Sequence, residues 1–169
     1  FRIPSGCAIS GIIDKSGARF GGEAIIKSIS VMRERSNGLG GGFAGYGIYP
    51  EYKDYYAFHI FFDTLAVQKE CEAFLEKYFD IINLSKIPTR PVKEITDAPR
   101  IWRYFVTPLA TKLTLSGLDE REYVSKSVFK INTEFKGAYV FSSGKNMGVF
   151  KGVGYPEDLG RFYGVDNYA

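Results

Sequence analysis

The chain has 169 residues, 45% of them hydrophobic and 24% charged, with a formal net charge of +3. This balance fits a soluble globular protein of one ordinary domain, or part of a larger one. The scattered charge marks no nucleic-acid face, and no apolar run is long enough to cross a bilayer.

In chain order, residues 1–6 (FRIPSG) are too short and too polar to supply the apolar region of a secretory signal. Cys7–Asp14 (CAISGIID) reads as a short buried strand, and Lys15-Ser16-Gly17 as a turn. Gly22–Arg35 reads as a helix with Ile25, Ile29 and Met32 on one face. Ser36–Gly42 (SNGLGGG), with four glycines in seven residues, stops it. Phe43–Tyr49 alternates small and large residues as a strand does, and its glycines point to a close neighbour. This strand is expected to pair with Cys7–Asp14 in one sheet, with the helix packed on a face of it.

Tyr55–Phe62 (YYAFHIFF) is a strongly apolar strand. Thr64 is placed to cap a helix reaching Tyr78, with Val67, Cys71, Phe74 and Tyr78 facing inward. Ile81–Ile87 and Ile101–Val106 read as strands, the first ended by Pro88 and Pro91. Asp119–Phe135 is a second helix, with Asp119 and Glu122 as a capping box and Val124, Val128, Ile131 and Phe135 as its core stripe. Ala138–Ser142 and Met147–Val153 are strands, and Pro156–Tyr163 is a short helical turn. The doubled strand–helix–strand order of the middle is that of a split βαβ, ferredoxin-like unit, expected as a four-stranded antiparallel sheet with two helices on one face. The fold class is therefore α+β. High aromatic content, with twelve Tyr and fourteen Phe, suits half-buried sheets.

Several residues have a plain reading and a chemical one. Cys7 in an apolar run is an ordinary buried thiol. Were residues 1–6 removed, it would instead pair a thiol nucleophile with its own free amine. The turn Pro4-Ser5-Gly6 suits such processing, and a nucleophile has to lie at the exposed end of its strand, beside a cleft. Cys71 falls on a helix core face and reads as packing. Arg35 reads as a helix-end arginine, favourable at the negative end of the dipole. His59, the single histidine, reads as a hydrogen-bonded or edge residue of its strand. One His and two distant Cys give no metal-site spacing and no disulfide framework, which fits a cytoplasmic protein. Asn37–Gly42 follows a helix instead of opening one, so it is a helix stop and not a phosphate cradle. The stretch 49–56 (YPEYKDYY) reads as a strand entry with a Pro turn.

The stretches RIPSGC, CAISGIIDKSG and MRERSNGLGGGFAGYGIYPEYKDYYAFH resemble the start of class II glutamine amidotransferases, which are N-terminal-nucleophile hydrolases. The narrower likeness is to glutamate synthase domain 1 proteins, separate amidotransferase subunits. In that family a cysteine starts the mature chain and the first helix often ends Met-Arg-x-Arg-Gly. Met32, Arg33 and Arg35 match, and Ser36 stands in the place of the glycine. The resemblance implies an αββα sandwich carrying an inserted ferredoxin-like βαββαβ module. Residues 1–50 would begin the sandwich, 51–145 would be the insert, and 146–169 would return to it. It implies glutamine as substrate, Cys7 as nucleophile and Arg35 as support beneath it. It implies ammonia passed to a glutamate synthase catalytic subunit holding a flavin and iron–sulfur clusters, for neither of which this chain has a motif. No cofactor or metal is expected on the chain itself. The family's later His-x-Arg and His-preceded Asn-Gly stretches have no counterpart, since His59 is followed by Ile60 and Phe61, and Asn37-Gly38 falls in another element. The expectation is an N-terminal part of a longer enzyme, inactive alone. The alternative is a non-catalytic binding, regulatory or assembly module in which the ferredoxin-like unit is the working part.

Overall fold

The computed structural model describes residues 6–168. The chain forms two compact units, one of residues 6–44, 88–98 and 149–168, the other of residues 45–87 and 99–148. The architecture is mixed, with five α-helices and two antiparallel sheets among the described residues.

The first unit holds α1 (Glu23–Ser30), most of β1 (Gly41–Tyr46) and of β6 (Met147–Gly152), and α5 (Pro156–Tyr163). Its sheet has two strands, β1 paired with β6. The expected pairing of β1 with Cys7–Asp14 is not present. Residues 6–14 form no strand, and Ile9 and Ile13 are 93% and 84% exposed. Aliphatic composition marks a strand only where a neighbouring edge and a covering layer exist, and this run has neither among the described residues. Pro4 and Ser5 of the expected flexible approach lie outside the described residues.

The expected helix over Gly22–Arg35 is shorter. It ends at Ser30 and resumes as a 3-10 turn at Arg33–Arg35. Ser30 Oγ donates to the Ile26 carbonyl at 2.7 Å, a back-bond that competes with helix continuation. The core of this unit gathers on α5, with Phe43, Phe150, Leu159, Phe162, Tyr163 and Val165 buried. Gly160 lets α1 and β1 approach, since a Cβ there would sit 3.0 Å from Ile26 and 3.3 Å from Phe43. The segment 88–98 joins this unit through Arg90, whose amide donates to the Phe162 carbonyl at 2.7 Å. Its guanidinium pairs with Asp166 at 3.1 Å.

The second unit holds β2 (Tyr56–Phe62), α2 (Leu65–Tyr78), β3 (Phe79–Lys86), β4 (Arg100–Pro108), α3 (Ala110–Ser116), α4 (Glu120–Glu134) and β5 (Ala138–Lys145). The four strands lie in the order β3-β4-β2-β5 with every neighbour antiparallel. Thus β4 lies between β2 and β3, which flank α2, and β2 lies between β4 and β5, which flank α4. These are two interleaved βαβ units. Phe58, Ile60 and Phe62 of β2 and Tyr104 and Val106 of β4 point to one face. There they meet Cys71 and Leu75 of α2 and Val124 and Ile131 of α4 in a single core, so both helices cover the same face. Short α3 had no counterpart among the expected elements. Its weakly periodic sequence ATKLTLS carries no helix signal, though Leu113 packs against the core, and Gly117, with φ of 67°, closes it in the left-handed region.

Candidate functional site

Cys7 lies on the irregular arm of the first unit with its thiol side exposed. Exposure alternates along this arm: Cys7 and Ile9 are open, while Ala8 and Ser10 are half-buried. Ser10 Oγ lies 2.5 Å from Ser28 Oγ of α1. Gly6 rests on the backbone of Arg35, where a Cβ would come 3.1 Å from the Arg35 carbonyl oxygen. Within this unit Gly6, the residue before Cys7, thus lies near the backbone of Arg35. Arg35 itself is exposed at the end of its 3-10 turn.

The turn is fastened through Arg33. Its guanidinium pairs with Glu157 and lies 4.0 Å from the centre of the Tyr155 ring. Glu157 occupies the first turn of α5, where a carboxylate suits the positive end of the helix. Gly38, with φ of 73°, brings the glycine-rich turn within van der Waals range of Tyr155, so that a side chain there would meet the ring at 3.2 Å. The stretch SNGLGGG is thus a turn packed on an aromatic ring. Sequence reasoning placed the turn and missed the Arg33–Tyr155–Glu157 clamp, because its partners lie more than a hundred residues apart.

Cys71 is fully buried in the helix-covered face of the second unit. Burial, followed by the nearby Glu72 and Glu70 carboxylates, pushes its thiol from an ordinary 9.0 up to about 12. It is a packing residue with no thiolate to offer at neutral pH.

His59 sits in the interior strand β2 on the face away from the helices, with no exposed surface. Its Nε2 lies 2.9 Å from Tyr49 Oη. Gly148 packs against the ring, where a Cβ would come 2.6 Å from Cε1. Tyr49 is held in turn by Asn146, whose Oδ1 accepts from the Tyr49 amide at 3.0 Å. Asn146 adopts φ of 49° at the β5–β6 turn, a conformation Asn tolerates better than most residues. Around this pair, Tyr52 stacks on Phe105 at 4.0 Å, and Arg103 lies over Tyr49 and Phe105 at 4.8 and 5.1 Å. The stretch 49–56 is accordingly a turn that covers this sheet face, entered at Pro50. No group of three metal-capable side chains occurs among the described residues, and His59 serves as a core histidine.

A second polar cluster escaped sequence reasoning. Gln68, 3% exposed on α2, donates through Nε2 to Glu72 Oε1 at 2.9 Å and accepts through Oε1 from Arg100 Nε at 2.9 Å. Tyr104 Oη donates to the same Glu72 oxygen at 2.7 Å. A Gln and a Glu four apart on a helix read as solvated surface, so only the register of β4 reveals Gln68 as buried and Glu72 as its half-buried partner.

No family model matches the chain. The chain is 48% identical, over 159 residues that make up 93% of it, to an uncharacterized protein of Archaeoglobus fulgidus. It spans 42% of that protein's length. Among the described residues no helix is long and apolar enough to cross a membrane.

Proposed function

We propose that this chain is the nucleophile-bearing part of a class II glutamine amidotransferase of the glutamate synthase type. The observation that carries the reading is the exposure of Cys7 on the irregular arm of the first unit, in a chain whose other thiol is buried and held protonated. In this reading the first unit is a portion of an αββα sandwich, and the second is its ferredoxin-like insert.

The chemistry follows from an N-terminal cysteine. Removal of residues 1–6 frees the Cys7 amine, which titrates near pH 8 when unperturbed and serves as base and acid close to neutrality. The amine takes the thiol proton, and the thiolate attacks the side-chain amide carbon of glutamine. The tetrahedral oxyanion collapses to a thioester as the amine protonates the leaving ammonia. Water then attacks the thioester and releases glutamate and the Cys7 thiol. Oxyanion donors contribute about 3–4 kcal/mol to such steps. They and the groups that hold the glutamine α-carboxylate are assigned to sequence outside this chain, in keeping with the greater length of the archaeal relative. The ammonia acceptor in this reading is a glutamate synthase catalytic subunit.

The test uses the full-length protein. Its mature form is expected to start at Cys7, and Cys7→Ser is expected to abolish glutamine-dependent ammonia release without loss of folding, the change being nearly isosteric. A diazoketone analogue of glutamine should label Cys7 and spare Cys71. Undiminished ammonia release by the Ser variant, or labelling with the reverse preference, overturns the assignment. The alternative of a binding or assembly module is favoured by one observation: the second unit has a complete single-faced core. Ammonia release separates the two.

A further inference from the structure

Of the five asparagines in the chain, Asn37 alone is followed by glycine. Two of the others have their carboxamides engaged with distant backbone. Asn132 accepts from the Val140 amide at 2.7 Å and donates to the Val140 carbonyl at 3.0 Å, and Asn146 Oδ1 accepts from the Tyr49 amide. Asn37 is exposed in the turn that follows the 3-10 segment Arg33–Arg35. Its carboxamide is bound locally, where the Leu39 N–H donates to Asn37 Oδ1 at 3.1 Å. This bond closes an Asx turn, which folds Cγ back beside the Asn37–Gly38 peptide. The Gly38 N–H donates in turn to Ser36 Oγ at 3.3 Å. Gly38 has no Cβ to obstruct approach along that peptide, and its φ of 73° is one that glycine adopts without strain.

We propose that Asn37 is a self-deamidation site, converted through a succinimide to isoaspartate and aspartate with water as the co-reactant. The Gly38 nitrogen is the nucleophile and Asn37 Cγ the electrophile. Ser36 Oγ takes the Gly38 amide proton as it passes its own to a hydroxide ion. The bond from the Gly38 nitrogen to Cγ forms. The charge that gathers on Oδ1 is met by the Leu39 N–H, which already donates there. The Cγ–Nδ2 bond then breaks, and water protonates the leaving nitrogen to ammonia, restoring the hydroxide. A water molecule next opens the imide. Breaking the bond from the Gly38 nitrogen to Cγ gives aspartate, and breaking its bond to the Asn37 main-chain carbonyl carbon gives isoaspartate. Water is consumed, ammonia is released, and nothing is oxidised or reduced. Either product sets a new carboxylate two residues after Arg35, and isoaspartate also lengthens the main chain by a methylene. The site stands apart from the reading of Cys7 as a nucleophile.

The test incubates the whole folded chain at mildly alkaline pH and digests it with trypsin. Peptide 36–53 is then followed by mass and by enzymatic methylation of isoaspartate. It should gain the mass of an amide-to-acid exchange and accept methyl groups, faster as the pH rises. Peptides carrying Asn83, Asn132, Asn146 and Asn167 should stay unchanged over the same period. Asn37→Gln, which would have to close a larger ring, should abolish the signal. Ser36→Ala removes the proton acceptor and should slow conversion about two- to tenfold, the worth of one hydrogen bond in the transition state. Ser36→Thr keeps the hydroxyl at an extended backbone position, with φ of −100° and ψ of 143°, and should keep the rate. That rescue separates loss of the hydroxyl from a general loosening of the turn. Where the Ala variant does not fold, synthetic peptide 36–53, which lacks the fixed turn, takes its place and should convert more slowly than the same stretch in the folded chain. No conversion at Asn37, conversion centred on another asparagine, or equal rates with and without the Ser36 hydroxyl or the fixed turn overturns the proposal.

Discussion

Tyr104 shows what one buried hydroxyl does for the second unit. Its ring belongs to the core, yet its Oη reaches Glu72 at 2.7 Å and lies 3.4 Å from Gln68 Nε2. Burial first, and the Glu72 carboxylate next, hold the phenol well above its ordinary pKa, so it stays a donor throughout the physiological range. Tyr104→Phe keeps the ring and removes the donor. It leaves Glu72 Oε1 without the Tyr104 donor and Gln68 Nε2 with one acceptor fewer at a part-buried site, and the expected cost is about 1–3 kcal/mol. Urea unfolding followed at Trp102, the single tryptophan, measures it. A loss below about half a kcal/mol would show that the hydroxyl contributes little beyond its solvated alternative. His59, read from the sequence as a hydrogen-bonded or edge residue of its strand, is fully buried against Tyr49 and Gly148.

At the scale of elements, the N-caps of α2 and α4 were the most legible feature. Asp119 Oδ1 accepts from the Glu122 amide at 2.8 Å, and Thr64 Oγ1 accepts from the Val67 amide at 3.3 Å. A cap needs only its own next three residues, so local sequence suffices to place it. Asp119→Ala should therefore cost about 1 kcal/mol, while Asp119→Asn, which keeps an acceptor, should cost a few tenths at most. Equal losses in the two variants, read from urea midpoints, would assign the effect to the carboxylate charge at the helix start and not to the hydrogen bond. The strands of the second unit were legible because each run of β2 to β5 finds its partners within the same unit. The Cys7 arm was not. Its run AISGII has the composition of a strand, but composition does not say whether an edge waits to receive it. The shortening of α1 was equally hidden, since the Ser30 back-bond depends on a rotamer.

For the whole chain, the order of elements carried the topology of the second unit, because two strand–helix–strand runs with short connections leave few antiparallel arrangements. The return of segment 88–98 to the first unit rests on Arg90 meeting Phe162 and Asp166 across more than seventy residues, and no local pattern announces it. The same concentration of buried aromatic and thiol groups sets how stability depends on pH. Cys71 is raised from 9.0 to about 12, chiefly by burial. Tyr56 is raised from 10.0 to about 12, by burial first and then by Glu120. Tyr104 is raised further in the same direction. Each is neutral when protonated, so below pH 9 both folded and unfolded forms hold the proton and the full stability is present. Above pH 9 the unfolded thiol ionises first, and above pH 10 the unfolded phenols follow, while the folded groups keep their protons until about pH 12. The unfolded state then binds fewer protons than the folded one, and stability falls as pH rises through that window. All three groups and Trp102 lie in the second unit, so tryptophan fluorescence reports the unit that titrates. The urea midpoint should hold level from pH 7 to 8.5 and decline steadily from pH 9 to 11. Cys71→Ala lowers the starting stability through the cavity it leaves, and it should also flatten the first part of the decline, between pH 9 and 10, where the thiol titrates alone. A midpoint that stays level to pH 11, or a decline between pH 9 and 10 that Cys71→Ala leaves unchanged, would show that the buried thiol does not govern the alkaline limit of this fold.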